Sequence, residues 1–151
     1  MLDDTDRRLL RYLQSDPTAP ISELAERCTM QPATAARRLE KLGAKGILKG
    51  QHAVIDWSKL GFAVEVSLRF TLDKTAARAF DEFQDAARLI PEVIAIQTFL
   101  GRVDLRLSVV ARDMAHYQSL YRNQILTLPH IAEVEALMHV ATIKTTETLP
   151  I

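Results

Sequence analysis

The sequence predicts an α+β chain in two parts, an N-terminal winged helix-turn-helix over residues 1–55 and a C-terminal ferredoxin-like βαββαβ domain over residues 63–151, joined by a linker at 56–62. Three observations predict it. Three short segments with helical apolar spacing fill the first 45 residues. Ala63 to Leu72 then alternates apolar and polar residues, the period of a half-buried strand. The order of periods that follows is strand, helix, strand, strand, helix, strand.

The first helix opens at Asp3, which can cap, with Asp6 three positions on at the positive end of the helix dipole. Leu9, Leu10 and Leu13 form its apolar stripe, and the Asp16-Pro17-Thr18-Ala19-Pro20 run breaks it. A second short helix, capped by Ser22, runs from Ile21 to Cys28. Pro32 suits the first turn of a third helix that runs to about Lys45 and stops at Gly46. Ile47 to Ile55 predicts two short strands around Gly50-Gln51, the wing. Trp57 and Leu60 in the linker are expected to pack.

In the second part, Val64, Val66, Leu68, Phe70 and Leu72 point one way and Glu65, Ser67, Arg69 and Thr71 the other. Ala76, Ala79, Phe80, Phe83, Ala87 and Ile90 keep helical spacing. Val93 to Leu100 and Asp104 to Ala111 read as strands about the turn Gly101-Arg102-Val103. Met114, Tyr117, Tyr121, Ile125 and Leu128 mark another helix, stopped before Pro129, and Ile131 to Thr145 supplies one or two closing strands. Two helices cover one sheet face; an apolar face opposite would invite dimerisation.

The 151 residues carry a formal net charge of zero. Residues 1–50 hold nine Lys/Arg against seven Asp/Glu, a net of +2, and the remainder holds ten against twelve, a net of −2. Only Gln31 to Lys49 is strongly one-signed, with Arg37, Arg38, Lys41, Lys45 and Lys49 against the single acid Glu40. By charge alone that segment is a solvated helix face. Its apolar stripe through Ala35, Leu39 and Leu42, and the short helix before it, make it the recognition helix of a helix-turn-helix. The expected contacts to double-stranded DNA are Gln31, Pro32, Thr34, Arg37, Arg38, Lys41 and Lys49, with Arg38 partly structural because it borders the packed stripe. Gln31 caps poorly, so either Thr29 or a water takes the cap, or Gln31 is free to touch DNA.

Enzymatic chemistry is not indicated. His52, His116, His130 and His139 have no metal-ligand spacing, and no phosphate-cradling glycine loop or nucleophile elbow occurs. Cys28, the only cysteine, excludes an intrachain disulfide and reads as a small buried hydrophobe. No membrane-crossing run is present, and the expected compartment is the cytoplasm. No cofactor is expected. Gly101 with Asp104 stands apart: free backbone N–H groups of such a turn can bind a carboxylate and Asp104 an ammonium, as a zwitterion requires. An ordinary hairpin turn explains the same residues.

These residues together resemble the Lrp/AsnC family of feast/famine regulators. The likeness runs from Leu2-Asp3-x-x-Asp6 through Arg37-Arg38-Leu39-Glu40-Lys41-Leu42, Ala53-Val54-Ile55-Asp56, Gly101-x-x-Asp104 and Leu128-Pro129 to Ile143-Lys144-Thr145-Thr146. The resemblance implies a DNA-binding transcriptional regulator, homodimers built through the sheets of the second domain, further assembly to octamers, and an amino acid or related effector bound between dimers at Leu100, Gly101, Arg102, Val103 and Asp104. Where the family commonly has Ser, Glu and an aromatic, this chain has Gln31, Gly43 and Leu105. The alternative function is a small-molecule-sensing oligomer that acts through protein contacts instead of DNA.

Overall fold

The computed structural model describes residues 2–146 and 148–151. They form two compact units, Met1–Val54 with Lys144–Ile151, and Ile55–Ile143. Among the described residues, no helix is long and apolar enough to cross a membrane.

The first unit holds α1 (Asp4–Ser15), α2 (Ile21–Arg27) and α3 (Pro32–Ala44). A capping box starts α1: the Asp6 N–H donates to the Asp3 carboxylate at 2.7 Å, and the Asp3 N–H to that of Asp6 at 3.4 Å. Leu9 and Leu13 then meet Leu24, Ala25, Cys28 and Ala35 in one buried cluster, flanked by Tyr12, Met30 and Leu39. The apolar stripes of the three helices therefore converge as their spacing requires. Ser22 does not cap α2; the cap position falls two residues earlier, at Pro20, with no side-chain cap. Gly46, at φ 67°, ends α3 by letting the Ile47 N–H return to the Leu42 carbonyl at 3.0 Å.

The same closure ends α2, but with a threonine. Thr29 sits at φ 56° while the Met30 N–H reaches the Ala25 carbonyl at 2.9 Å. A β-branched residue is strained in the left-handed region. Thr29 is exposed, so its replacement sacrifices no packing. Thr29→Asn is expected to stabilise the unit by about 0.5–1 kcal/mol, read as a raised thermal midpoint. An unchanged or lowered midpoint would contradict the strain argument.

The predicted wing is not formed. No strand occurs between Ile47 and Ile55. A lone two-stranded hairpin is marginal in water, and here the first half is diverted to the helices. The Ile47 and Leu48 N–H groups both donate to the Leu42 carbonyl, and the Gln51 side-chain amide donates to the Pro17 carbonyl at 2.7 Å. The segment is an extended arm along the helical lobe, with Val54 exposed. The tail packs on this unit too: the Gln14 side chain bonds both the N–H and the carbonyl of Leu149, and the Arg11 Nε donates to the Ile151 backbone oxygen at 2.6 Å.

The second unit opens with a 3-10 turn, Trp57–Leu60, capped by the Asp56 carboxylate on the Ser58 N–H. Trp57 and Leu60 are exposed, contrary to the packing expected of them. There follow β1 (Val64–Leu72), α4 (Ala79–Ala87), β2 (Val93–Thr98), β3 (Leu105–Ala111), α5 (Met114–Leu120), a π turn over Tyr121–Ile125, and β4 (Ile131–Met138). The sheet is antiparallel in the order β2-β3-β1-β4, the ferredoxin-like arrangement. The closing segment is thus a single strand that ends at Met138. Val66, Leu68, Phe70 and Leu72 of β1 join Leu105, Leu107 and Val109 of β3 in the core with Phe83, Leu120 and Ile125. The Phe70 and Phe83 rings lie 4.9 Å apart.

The other face of the sheet is mixed. It carries Ser67, Arg69 and Thr71 from β1, Arg106, Ser108 and Val110 from β3, and Glu133, Glu135 and Leu137 from β4. Alternation fixes their direction, because whatever separates the buried residues of a strand must point away from them.

Candidate nucleic-acid interface and ligand turn

Helix α3 presents two different faces. Ala35 and Leu42 are buried and Leu39 packs beside them. Arg37 and Lys41, one turn apart, are exposed, and neither has an acidic partner within 4.0 Å among the described residues. At the start of the helix Gln31 occupies the cap position in extended backbone, φ −75° and ψ 144°, with no side-chain cap bond, and Pro32 follows in the first turn. Thr29, in its left-handed conformation, does not take over the cap. No acid stands in that first turn, so its free N–H groups and the positive end of the dipole face outward uncompensated. Gln31 is exposed and Thr34 half-buried.

Arg38 takes another course. Its Nη1 donates to the Asp3 carboxylate and to the Asp6 carboxylate, both at 2.7 Å. The two acids of the α1 capping box thereby hold α3, and Arg38 is anchored 35 and 32 positions back along the chain. The guanidinium beside it holds the Asp3 carboxyl below the usual carboxylate range, helped by the Asp6 N–H. The acids in turn raise Arg38 above its ordinary value. Lys49 lies off the helix, exposed on the arm. The structure therefore gathers Gln31, Pro32, Thr34, Arg37 and Lys41 on one helix, ties Arg38 to α1, and sets Lys49 apart.

The β2–β3 turn places Leu100, Gly101 and Arg102 in solvent and Val103 half in. Asp104 is buried, 3% exposed, and faces the other way. Its carboxylate accepts the Leu72 N–H at 2.9 Å and pairs with the Lys74 ammonium at 2.8 Å. Burial alone would push this carboxyl up; the Lys74 hydrogen bond and the Leu72 N–H outweigh burial and hold it below its ordinary value. The ammonium that Asp104 was expected to meet in a ligand is supplied by the chain itself. Lys74 escaped sequence reasoning because only the β1–β3 register, with Phe70 opposite Leu105, brings the end of β1 beside Asp104. Beside the turn lies a cleft of about 390 Å³, walled by Phe99 and Leu100 and by the arginines 69, 102 and 106.

The histidines form no cluster. His116, His130 and His139 each stand beside one glutamate, Glu92, Glu82 and Glu65 respectively. Among the described residues no group of three His, Cys, Asp or Glu is placed to hold a metal ion.

Sequence profiles agree with both units. An AsnC-type helix-turn-helix domain matches residues 2–42, and an Lrp/AsnC ligand binding domain matches residues 65–149. The chain belongs to the Lrp/AsnC family. Like other Lrp/AsnC members it is a DNA-binding transcriptional regulator with a ligand-binding second unit, and the family is one of regulators, not enzymes. It is 30% identical over 87% of its length, and 86% of the other chain, to the proline dehydrogenase transcriptional activator of Rhodobacter capsulatus. It is 29% identical over 100% of its length, and 99% of the relative's, to the DNA-binding transcriptional activator DecR of Escherichia coli. Among solved structures, the regulator NMB0573 of Neisseria meningitidis in complex with L-Met superposes with a TM-score of 0.90 at 25% identity, covering 99% of this chain and 97% of that one.

Proposed function

We propose that this Lrp/AsnC regulator reads duplex DNA with the exposed face of α3. The carrying observation is the pair Arg37 and Lys41, exposed one turn apart and without an acidic partner among the described residues, at a helix with no acid in its first turn. Arg37 contacts base edges, Lys41 phosphate, and Gln31, Pro32 and Thr34 lie at the end of the helix that enters the groove. Arg38 acts as a positioning residue through Asp3 and Asp6, and Lys49 touches backbone from the arm. Two copies of α3 act together in a homodimer assembled through the second unit, and dimers associate further, up to octamers. The Leu100–Asp104 turn and its cleft receive an amino acid or related effector between dimers; the L-Met complex of the Neisseria meningitidis regulator supports that reading. Within the turn Asp104 fixes the backbone, and Gly101, Arg102 and Val103 face the ligand. Acting on the chromosome, the regulator works in the cytoplasm.

Selection of bound sequences from random duplex DNA by the full chain tests the proposal. Enrichment of a roughly two-fold symmetric motif is expected. Binding to it should weaken with salt at a log–log slope of about −0.9 per phosphate neutralised. Failure to enrich any sequence at any salt would leave the alternative, a sensor acting through protein contacts.

A further inference from the structure

The cleft beside the β2–β3 turn holds more positive charge than its surroundings answer. Arg69, Arg102 and Arg106 line it. Arg69 has Glu135 opposite it in the β1–β4 register, 3.7 Å away. Among the described residues, Arg102 and Arg106 have no acidic partner within 4.0 Å. Arg106 is half-buried, and its Nε is shielded from solvent with no hydrogen-bond partner. A shielded guanidinium N–H without an acceptor is costly and is relieved by one that arrives. The only acid of the turn cannot supply it, because the Asp104 carboxylate is engaged by Leu72 and Lys74.

Charge balance then constrains the occupant. A neutral amino acid brings one carboxylate, which answers one of these guanidinium groups and leaves the other without an acid. A molecule with two acid groups answers both, each through the planar fork that matches a carboxylate. The cleft, at about 390 Å³, lies at the small end of the ligand-site range. Phe99 and Leu100 can cover a short carbon chain between the two acid groups. A second space of about 400 Å³ adjoins it, bordered by Arg69 and Arg102 and by Glu133 and Glu135. Those acids offer a place for an ammonium on the same ligand.

We infer that the effector of this regulator is a small dicarboxylate, with one acid group on Arg106 and the other on Arg102 at the lip of the cleft. The inference rests on the reading of this turn as the effector site. Calorimetry on the full chain at fixed ionic strength tests it, with L-glutamate and 2-oxoglutarate set against L-glutamine, L-methionine and sulfate. The diacids are expected to bind about tenfold or more tightly than glutamine or methionine, since the site is built to bond a second acid group. Arg106→Gln should weaken diacid binding by about tenfold while thermal unfolding and particle size stay unchanged. Arg106→Lys, which keeps the charge without the fork, should recover part of the loss. Glutamine or methionine binding as tightly as the diacids would overturn the inference and leave the effector turn standing. Sulfate competing as well as a diacid would overturn it as a mere anion site. So would an Arg106→Gln protein that dissociates yet keeps its diacid affinity, which would assign Arg106 to a contact between copies. Binding of nothing in the panel would remove both the inference and the effector turn.

Discussion

Removing the two exposed cations of α3 together, as Arg37→Ala with Lys41→Ala, is expected to weaken operator binding by about 100-fold or more. An arginine bidentate to guanine contributes about 1–3 kcal/mol of discrimination, and a dimer carries two copies of each side chain. The two losses should separate by mechanism. Arg37→Ala alone should relax base preference at one position of each half-site. Lys41→Ala alone should weaken all sequences alike and flatten the salt dependence by about 0.9 in log–log slope for each phosphate contact removed. Mobility shifts against the selected operator and random duplex read both effects. Because neither side chain has an acidic partner among the described residues, the thermal midpoint should hold. A double variant that folds, assembles and binds undiminished would exclude this face.

Asp104→Ala is expected to lower the unfolding free energy of the chain by about 2–3 kcal/mol, mainly because the Leu72 N–H is left buried without an acceptor. Lys74, more than half exposed, can turn to water and adds less. Asp104→Asn keeps an acceptor for Leu72 and loses only the ion pair, so its cost should be about 1 kcal/mol. The pH dependence has a definite sign. Asp104 titrates below its ordinary value of 3.8 in the folded chain, so its stabilisation is complete above that value and lost as pH falls through the folded one. The gap between wild type and Asp104→Asn should therefore be constant near neutral pH and close below about pH 4. Denaturant melts across that range check it; a gap that widened in acid would mean that Asp104 is not held as its ion.

The elements that were legible in sequence are those whose signal is local. Alternation from Val64 to Leu72 fixes both the strand and its buried face, and Asp3 with Asp6 announces a helix start that needs only neighbours three residues apart. The wing at Ile47–Ile55 was illegible as an arm because strand pairing depends on a partner, and the donors that would have paired were drawn to the Leu42 carbonyl instead. The outward direction of Arg69 and Thr71 was legible from the same alternation that buries Leu68 and Phe70, but the residues set opposite them, Glu135 and Glu133, come only from the β1–β4 register. At the candidate sites, residue type was legible and partnership was not. Arg38 reads as a cation of the recognition helix until the fold brings Asp3 and Asp6 beside it. Asp104 reads as a ligand group until the β1–β3 register delivers Lys74. Both pairings span more than 25 residues, beyond the reach of any periodicity.

The claim that α3 enters the DNA has a direct physical test. Cys28, the only cysteine, is buried at 1% exposure, so a cysteine introduced at exposed Ala33 in the first turn of α3 accepts a DNA-cleaving iron chelate selectively. The tethered protein should cut the selected operator at one position in each half-site, symmetrically about its centre. The same chelate on Ala77→Cys, exposed in the second unit, should leave the operator intact. Binding with no cleavage from position 33, or cleavage from position 77 alone, would contradict the assignment of α3 as the DNA-reading element.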